Sequence, residues 1–199
     1  MSDETVVVLA SGNAGKLREL QGILKPLPLQ LVPQSEFQVP DVEETGLTFV
    51  ENALIKARAA CVHTGLAAIA DDSGLEVDYL EGAPGIHSAR YSGDGDSANN
   101  ALLLKNLEGV PKEHRRARFQ CALVFLRHAF DPTPIICQGA WEGEILDTET
   151  GSHGFGYDPL FFLPQFGCSS AELASEVKNK ISHRALASAQ LLEALRAQS

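Results

Sequence analysis

Thr5 to Ala10 (TVVVLA) is an unbroken run of β-branched and apolar residues that stops at Ser11-Gly12-Asn13. The lack of polar alternation predicts a strand covered on both faces, and hence a sheet of the parallel type. From Lys16 to Leu24 the period changes: Leu17, Leu20 and Leu24 share one helical face, and Pro26 and Pro28 end the helix. A strand, a glycine-bearing loop and a helix therefore follow in immediate succession.

Thr48-Phe49-Val50-Glu51 has capping-box form and opens a helix carrying Ala53, Ile55, Ala57, Ala60 and Cys61, with Gly65 as its stop. Leu66 to Ala70 predicts another apolar strand, ending at Asp71-Asp72-Ser73-Gly74. Glu81 to Ile86 is turn chemistry, and Ser97 to Leu107 predicts an amphipathic helix. Ala117–Leu126 and Ile135–Trp141 predict neighbouring strands of a hairpin joined through Asp131-Pro132-Thr133-Pro134. Gly151 to Pro159 is a glycine-rich loop, Leu160 to Leu163 a short strand, and Ser169 to Glu172 a second capping box for a helix to about Ile181. Ser182 then caps a last helix striped by Leu186, Ala189, Leu192 and Leu195. No repeat, low-complexity tract or linker interrupts the pattern, which predicts one α/β domain over residues 1–199 with a long antiparallel insertion.

Composition narrows the function classes. The chain has 199 residues, 26 of them acidic and 16 basic, for a formal net charge of −10, which argues against binding to a nucleic-acid polymer or a basic docking mode on membranes. Apolar residues at 44% and charged residues at 21% match an ordinary folded domain. No apolar stretch approaches membrane-spanning length, and Met1-Ser2-Asp3-Glu4 lacks the basic and apolar regions of a secretory signal, so a cytoplasmic protein is expected. Cys61, Cys121, Cys137 and Cys168 are widely and irregularly spaced, as expected of reduced thiols rather than a zinc site or a disulfide framework.

Four stretches carry candidate chemistry. Ser11-Gly12-Asn13-Ala14-Gly15-Lys16 lies between a buried strand and a helix start, where main-chain N–H groups and the helix dipole favour phosphate. It is not a Walker A loop, and it is equally an ordinary β-to-α turn with a solvated lysine. Asp71-Asp72 closes an apolar strand, and because neighbouring side chains on a strand point to opposite faces, one aspartate can face a site while the other braces the loop. A carboxylate there can hold Mg²⁺ or accept a proton from water. Glu43-Glu44 adds acids near a helix start, and Asn52 and Lys56 share a helical face. Gly154-Phe155-Gly156-Tyr157-Asp158 offers an aromatic face for stacking a base, while Lys178, His183 and Arg184 add donors.

In this order, SGNAGKLREL, EETGLTFVENALIKA, ADDSGLEVDYLEGAPGIHSARYSG, GFGYDPLF and ISHRALA resemble the inosine triphosphate pyrophosphatase family, its bacterial branch acting on dITP and XTP in particular. The resemblance runs from about residue 6 to about residue 196. It implies an ITPase-like (Maf/Ham-like) α/β fold: a long mixed central sheet with flanking helices and two lobes around a substrate cleft. It also implies a cytoplasmic, Mg²⁺-dependent homodimer that hydrolyses dITP, ITP and XTP to the monophosphate and pyrophosphate, removing deaminated purines from the nucleotide pool. Carried over by residue, Ser11, Gly12, Asn13, Ala14, Gly15 and Lys16 hold the triphosphate, with Lys56 and Ser73 as further contacts. Asp72 is the general base and a metal carboxylate, and Glu43 the second metal carboxylate. The base pocket falls on Phe155, Gly156, Tyr157, Asp158, Lys178, His183 and Arg184. Residues 95–115 carry no assignment. The alternatives are a Maf-like pyrophosphatase preferring other bases, and a nucleotide-sensing module without turnover.

Overall fold

The computed structural model describes residues 4–197, so Met1–Asp3 of the N-terminal reading lie outside the described residues. In chain order the regular elements are β1 (Thr5–Leu9), α1 (Ala14–Leu24), β2 (Leu29–Pro33), α2 (Phe49–Thr64), β3 (Ala67–Val77), α3 (Asp96–Asn106), β4 (Arg116–Leu126), β5 (Ile135–Ile145), β6 (Phe161–Leu163), β7 (Cys168–Ser169), α4 (Ser175–Ile181) and α5 (His183–Arg196), with short 3₁₀ turns between. The sheet order is β2-β1-β3-β4-β5-β6-β7. β1 runs parallel to β2 and β3, whereas β6 is antiparallel to β5 and β7, so the sheet is mixed and the fold is α/β.

The chain divides into two units. The first holds residues 1–72, 121–139 and 184–199; the second holds residues 73–120 and 140–183. In the first unit, Val7 and Leu9 pack with Leu20 and Leu24 of α1 and Leu191 and Leu195 of α5, while Val8 and Ala10 pack with Ala53, Ala57 and Ala60 of α2. Both faces of β1 are covered, which is why its sequence does not alternate. In the second unit, Leu103 and Leu107 from α3 and its C-terminal end join Leu75, Val77, Trp141, Phe161 and Leu163 in one core. Phe119 lies 4.6 Å from the Phe161 ring and 6.5 Å from the Trp141 ring, centroid to centroid.

Several boundaries differ from the sequence pattern. β3 does not stop at Asp71 but runs on to Val77: it is an interior strand between β1 and β4, and that setting outweighs the turn preference of Asp-Asp-Ser-Gly. The Ser169 capping box forms, yet it opens only a 3₁₀ turn at Ser170–Glu172; Leu173 then turns extended and buries its side chain, and α4 starts at Ser175. The buried stripe of α5 is Ala187, Leu191 and Leu195, with Leu186 and Ala189 exposed, since the four-residue spacing of the former set follows the helix face toward α1. The sequence pattern did not indicate β2 or β7.

Candidate active site

In the first unit, the β1-to-α1 turn is organised by Asn13. Its side-chain oxygen accepts from the N–H groups of Gly15 at 2.8 Å and Lys16 at 3.1 Å, capping α1, and its own N–H donates to Ser11 Oγ at 3.2 Å. Gly12, Asn13, Ala14 and Gly15 are exposed. The turn thus presents main chain to solvent, but two of the N–H groups expected to face a phosphate are occupied by the Asn13 carboxamide.

Lys16, at the base of this turn, reaches Asp71 on β3, with Nζ 2.7 Å from Oδ2. Arg184 at the start of α5 stands 3.8 Å from the same oxygen and 3.5 Å from Glu19. Asp71 is buried. Burial raises the pKa of a carboxyl, but here the Lys16 ammonium and the Arg184 guanidinium outweigh it and hold Asp71 at about 2.

One residue along β3 the side chain points the other way, and Asp72 meets a different set of partners. Asn52 of α2 donates to its Oδ2 at 3.2 Å, and Lys56, one turn further along α2, lies 3.4 Å from its Oδ1. Burial dominates and Lys56 only partly offsets it, so the Asp72 pKa is raised. Lys56 also pairs with Glu44 at 2.9 Å, and although burial opposes its charge, Asp72 and Glu44 keep it firmly protonated.

Asn52 explains the turn that brings Glu44 in. Fully buried, it accepts from the Gly46 N–H at 2.9 Å while donating to Asp72, and a Cβ at position 46 would collide with Glu51 Cβ and Asn52 Oδ1. The Thr48 hydroxyl accepts from the Glu51 N–H and starts α2 at that point. Glu43, by contrast, is exposed, and its neighbour is the glutamate that lies on Lys56. Among the described residues no group of three or more His, Cys, Asp or Glu side chains clusters as a metal site. Two carboxylates sharing one ammonium do form a hard-oxygen pair of the kind Mg²⁺ accepts, since that ion commonly takes one or two protein carboxylates.

In the second unit the Gly154–Asp158 loop is tied by Asp158. Its Oδ2 accepts from the Phe155 N–H at 2.9 Å and lies 2.5 Å from Lys178 Nζ, and its Oδ1 accepts from the Ser170 hydroxyl at 2.6 Å. Gly154 has φ +82° and backs directly onto the Asp158 carboxylate, leaving no room for a Cβ. The Phe155 ring is 64% exposed, with Lys178 Nζ 5.5 Å from its centroid. An open aromatic face beside a cation can stack a π-system and donate to it.

Tyr157 goes the other way. It is buried in the core and donates its hydroxyl to the Ser88 carbonyl at 2.8 Å, so it braces the loop from below. His183 is also mostly buried and stacks on Phe119 at 5.0 Å with a 16° interplanar angle. Ser73 is half-buried on β3 immediately after Asp72.

The sequence pattern named Lys16, Lys56, Asp72, Phe155, Asp158 and Lys178. It named Asp71 as a possible brace and Glu44 as one of an acid pair but not their pairing with Lys16 and Lys56, and it missed the bridging role of Asn52 and the Ser170 hydroxyl. The strand alternation at Asp71-Asp72 was the one available signal for the Asp71 pairing.

Related proteins show the same chain organisation. The Ham1 family model matches residues 7–194. A dITP/XTP pyrophosphatase of Vibrio vulnificus is 57% identical over 194 residues, covering 96% of this chain and 97% of the relative. One of Escherichia coli O157:H7 is 57% identical over 192 residues, covering 96% and 98%. The solved structure of a HAM1 protein from Coxiella burnetii superposes with a TM-score of 0.94 at 47% identity, covering 97% of this chain and 99% of that one. With a family model spanning nearly all of the described residues and relatives matched end to end, this chain belongs to the Ham1 family.

Proposed function

We propose that the protein hydrolyses non-standard purine nucleoside triphosphates, dITP, ITP and XTP, to the monophosphate and pyrophosphate. The observation that carries this reading is Asp72: a buried carboxylate with a raised proton affinity, flanked by a charged lysine and a buried amide donor. A carboxylate with raised proton affinity is a stronger base than an ordinary one and is suited to accept the proton of a water molecule.

The Ser11–Lys16 turn and Lys56 bind the phosphates, Lys16 and Lys56 answering the roughly four negative charges of a triphosphate that a protein of net charge −10 would otherwise repel. Asp72 takes the proton of a water molecule whose oxygen attacks the α-phosphorus in line; the bond to the bridging oxygen breaks and pyrophosphate leaves. Lys56 stabilises charge on the departing group. Asp72 and a glutamate of the Glu43–Glu44 pair are the residues that would hold Mg²⁺, and the ion would neutralise phosphate charge when bound. No covalent intermediate is required.

Phe155 stacks the base, and Lys178, held by Asp158, donates to the carbonyl at the six-position that hypoxanthine and xanthine share and adenine lacks. A site built to hydrogen-bond one group can reject its replacement by about 10⁴-fold. Ser73, Gly156, Tyr157, His183 and Arg184 complete the substrate contacts or support them. The same reading takes residues 1–199 as one functional domain acting as a cytoplasmic homodimer.

The test is product analysis. Incubation with dITP and Mg²⁺ is expected to yield dIMP and pyrophosphate in equal amounts; orthophosphate as the primary product would overturn the proposal.

A further inference from the structure

α3 contributes no side chain to the chemistry described above, yet two of its residues grip the loop that carries Phe155. Asp96 in its first turn accepts from the Gly156 N–H, Oδ2 to N, at 2.8 Å. Asn100, four residues on and on the same helix face, donates from Nδ2 to the Gly156 carbonyl at 3.2 Å and to Glu149 Oε1 at 2.8 Å. Both main-chain groups of one residue are therefore held by one helix, and the peptide planes on either side of Gly156 are fixed. The Asn100 side chain is buried, and its amide oxygen has no hydrogen-bond partner among the described residues, so the two Nδ2 bonds alone set its orientation.

The helix is itself anchored. Leu103 and Leu107 are buried in the core, and Asn99 donates to the Ser88 and Ala89 carbonyls while accepting from the Ser92 N–H and hydroxyl. Phe155 has no comparable packing, because its ring is mostly exposed. An exposed ring is placed by its backbone, and here the backbone on its C-terminal side is placed by α3. Gly156 at φ +60° supplies no side chain that could do this instead.

We infer that Asp96 and Asn100 are positioning residues that set nucleobase selectivity by clamping Gly156 and thereby fixing where the Phe155 side chain leaves the main chain. The inference rests on reading Phe155 as the base platform. Asp96 has a simpler alternative role, an acid that favours the N-terminus of α3 through the helix dipole. Asp96→Asn separates the two, since a carboxamide oxygen still accepts from Gly156 but carries no charge.

Two measurements test the clamp. Without substrate, amide hydrogen exchange at Gly156 and Tyr157 is expected to accelerate in Asp96→Ala and Asn100→Ala and to stay near wild type in Asp96→Asn. With substrate, Asp96→Ala is expected to raise KM for dITP about tenfold, the loss expected for one hydrogen bond, with kcat within about twofold and selectivity for dITP over dATP reduced in parallel. Asp96→Asn is expected to restore both. Unchanged exchange in Asp96→Ala, or altered exchange with unchanged KM and selectivity, overturns the inference. A wild-type protein that does not turn over dITP overturns the functional reading and the selectivity claim with it, and the exchange data distinguish that outcome from failure of the clamp.

Discussion

Replacing Asp71 by asparagine removes the negative charge that Lys16 and Arg184 face from a site closed to water. The carboxyl is held at about 2 against an ordinary 3.8, which at about 1.4 kcal/mol per tenfold in proton affinity corresponds to about 2 kcal/mol of folding free energy. Stranding a buried cation costs more, about 3–5 kcal/mol, but the Lys16 side chain is 21% exposed and can turn to solvent, and Arg184 keeps Glu19. The smaller figure therefore applies. For a chain of this length it amounts to a drop in Tm of about 4–8 °C. The pH dependence follows from the sign of the shift: a lowered carboxyl pKa stabilises the fold fully above the unfolded value and loses that contribution as pH falls through the folded one. The gap between wild type and Asp71→Asn should be constant from pH 7 to 5 and narrow between about pH 4 and pH 2. Urea titrations followed by circular dichroism at stepped pH measure it directly. A gap under about 0.5 kcal/mol at pH 7, or one that widens toward pH 3, would refute the reasoning.

Asp72 is expected to behave in the opposite sense, because its raised pKa means that the ionised form costs stability as pH rises. Asp72→Asn should bind nucleotide, lose turnover by about 10²–10⁴-fold, and melt no lower than wild type at neutral pH without metal; near-normal turnover would remove Asp72 from the role of base. Asn13→Ala should cost about 1 kcal/mol as a lost N-cap while freeing the Gly15 and Lys16 N–H groups, so pyrophosphate binding by calorimetry should not weaken in proportion to stability. An equal loss in both would mean that the Asn13 carboxamide does not compete with phosphate for those donors.

Much of the site could be seen in the sequence because local chemistry specified it. Thr48 and Glu51 start α2 and Gly65 stops it through nearest-neighbour hydrogen bonds alone, which placed Asn52 and Lys56 on one face in advance. What local chemistry does not specify was less visible. β2 is a five-residue strand with prolines nearby, and it exists because β1 offers it a parallel edge. Asp71-Asp72-Ser73-Gly74 has the composition of a turn, yet it is extended within β3, an interior strand of the sheet. Asp96 and Asn100 lie in a stretch without an obvious motif, and their partners are 60 and 56 residues away. A contact over that separation leaves no local pattern to find.

That β3 continues through its two aspartates gives the inert part of the strand a chemical responsibility. The pairing of Val7, Val8 and Leu9 with Ala67, Ala68 and Ile69 determines which face each later side chain takes. A slip of one residue in that apolar ladder would turn each carboxylate to the opposite face, taking Asp71 away from Lys16 and Arg184 and Asp72 away from Lys56 and Asn52, so that neither would keep the partners that set its proton affinity. The alanines and isoleucine of β3 thus act as the index marks of the strand, and the order in which its two acids release their protons is written in side chains that never titrate.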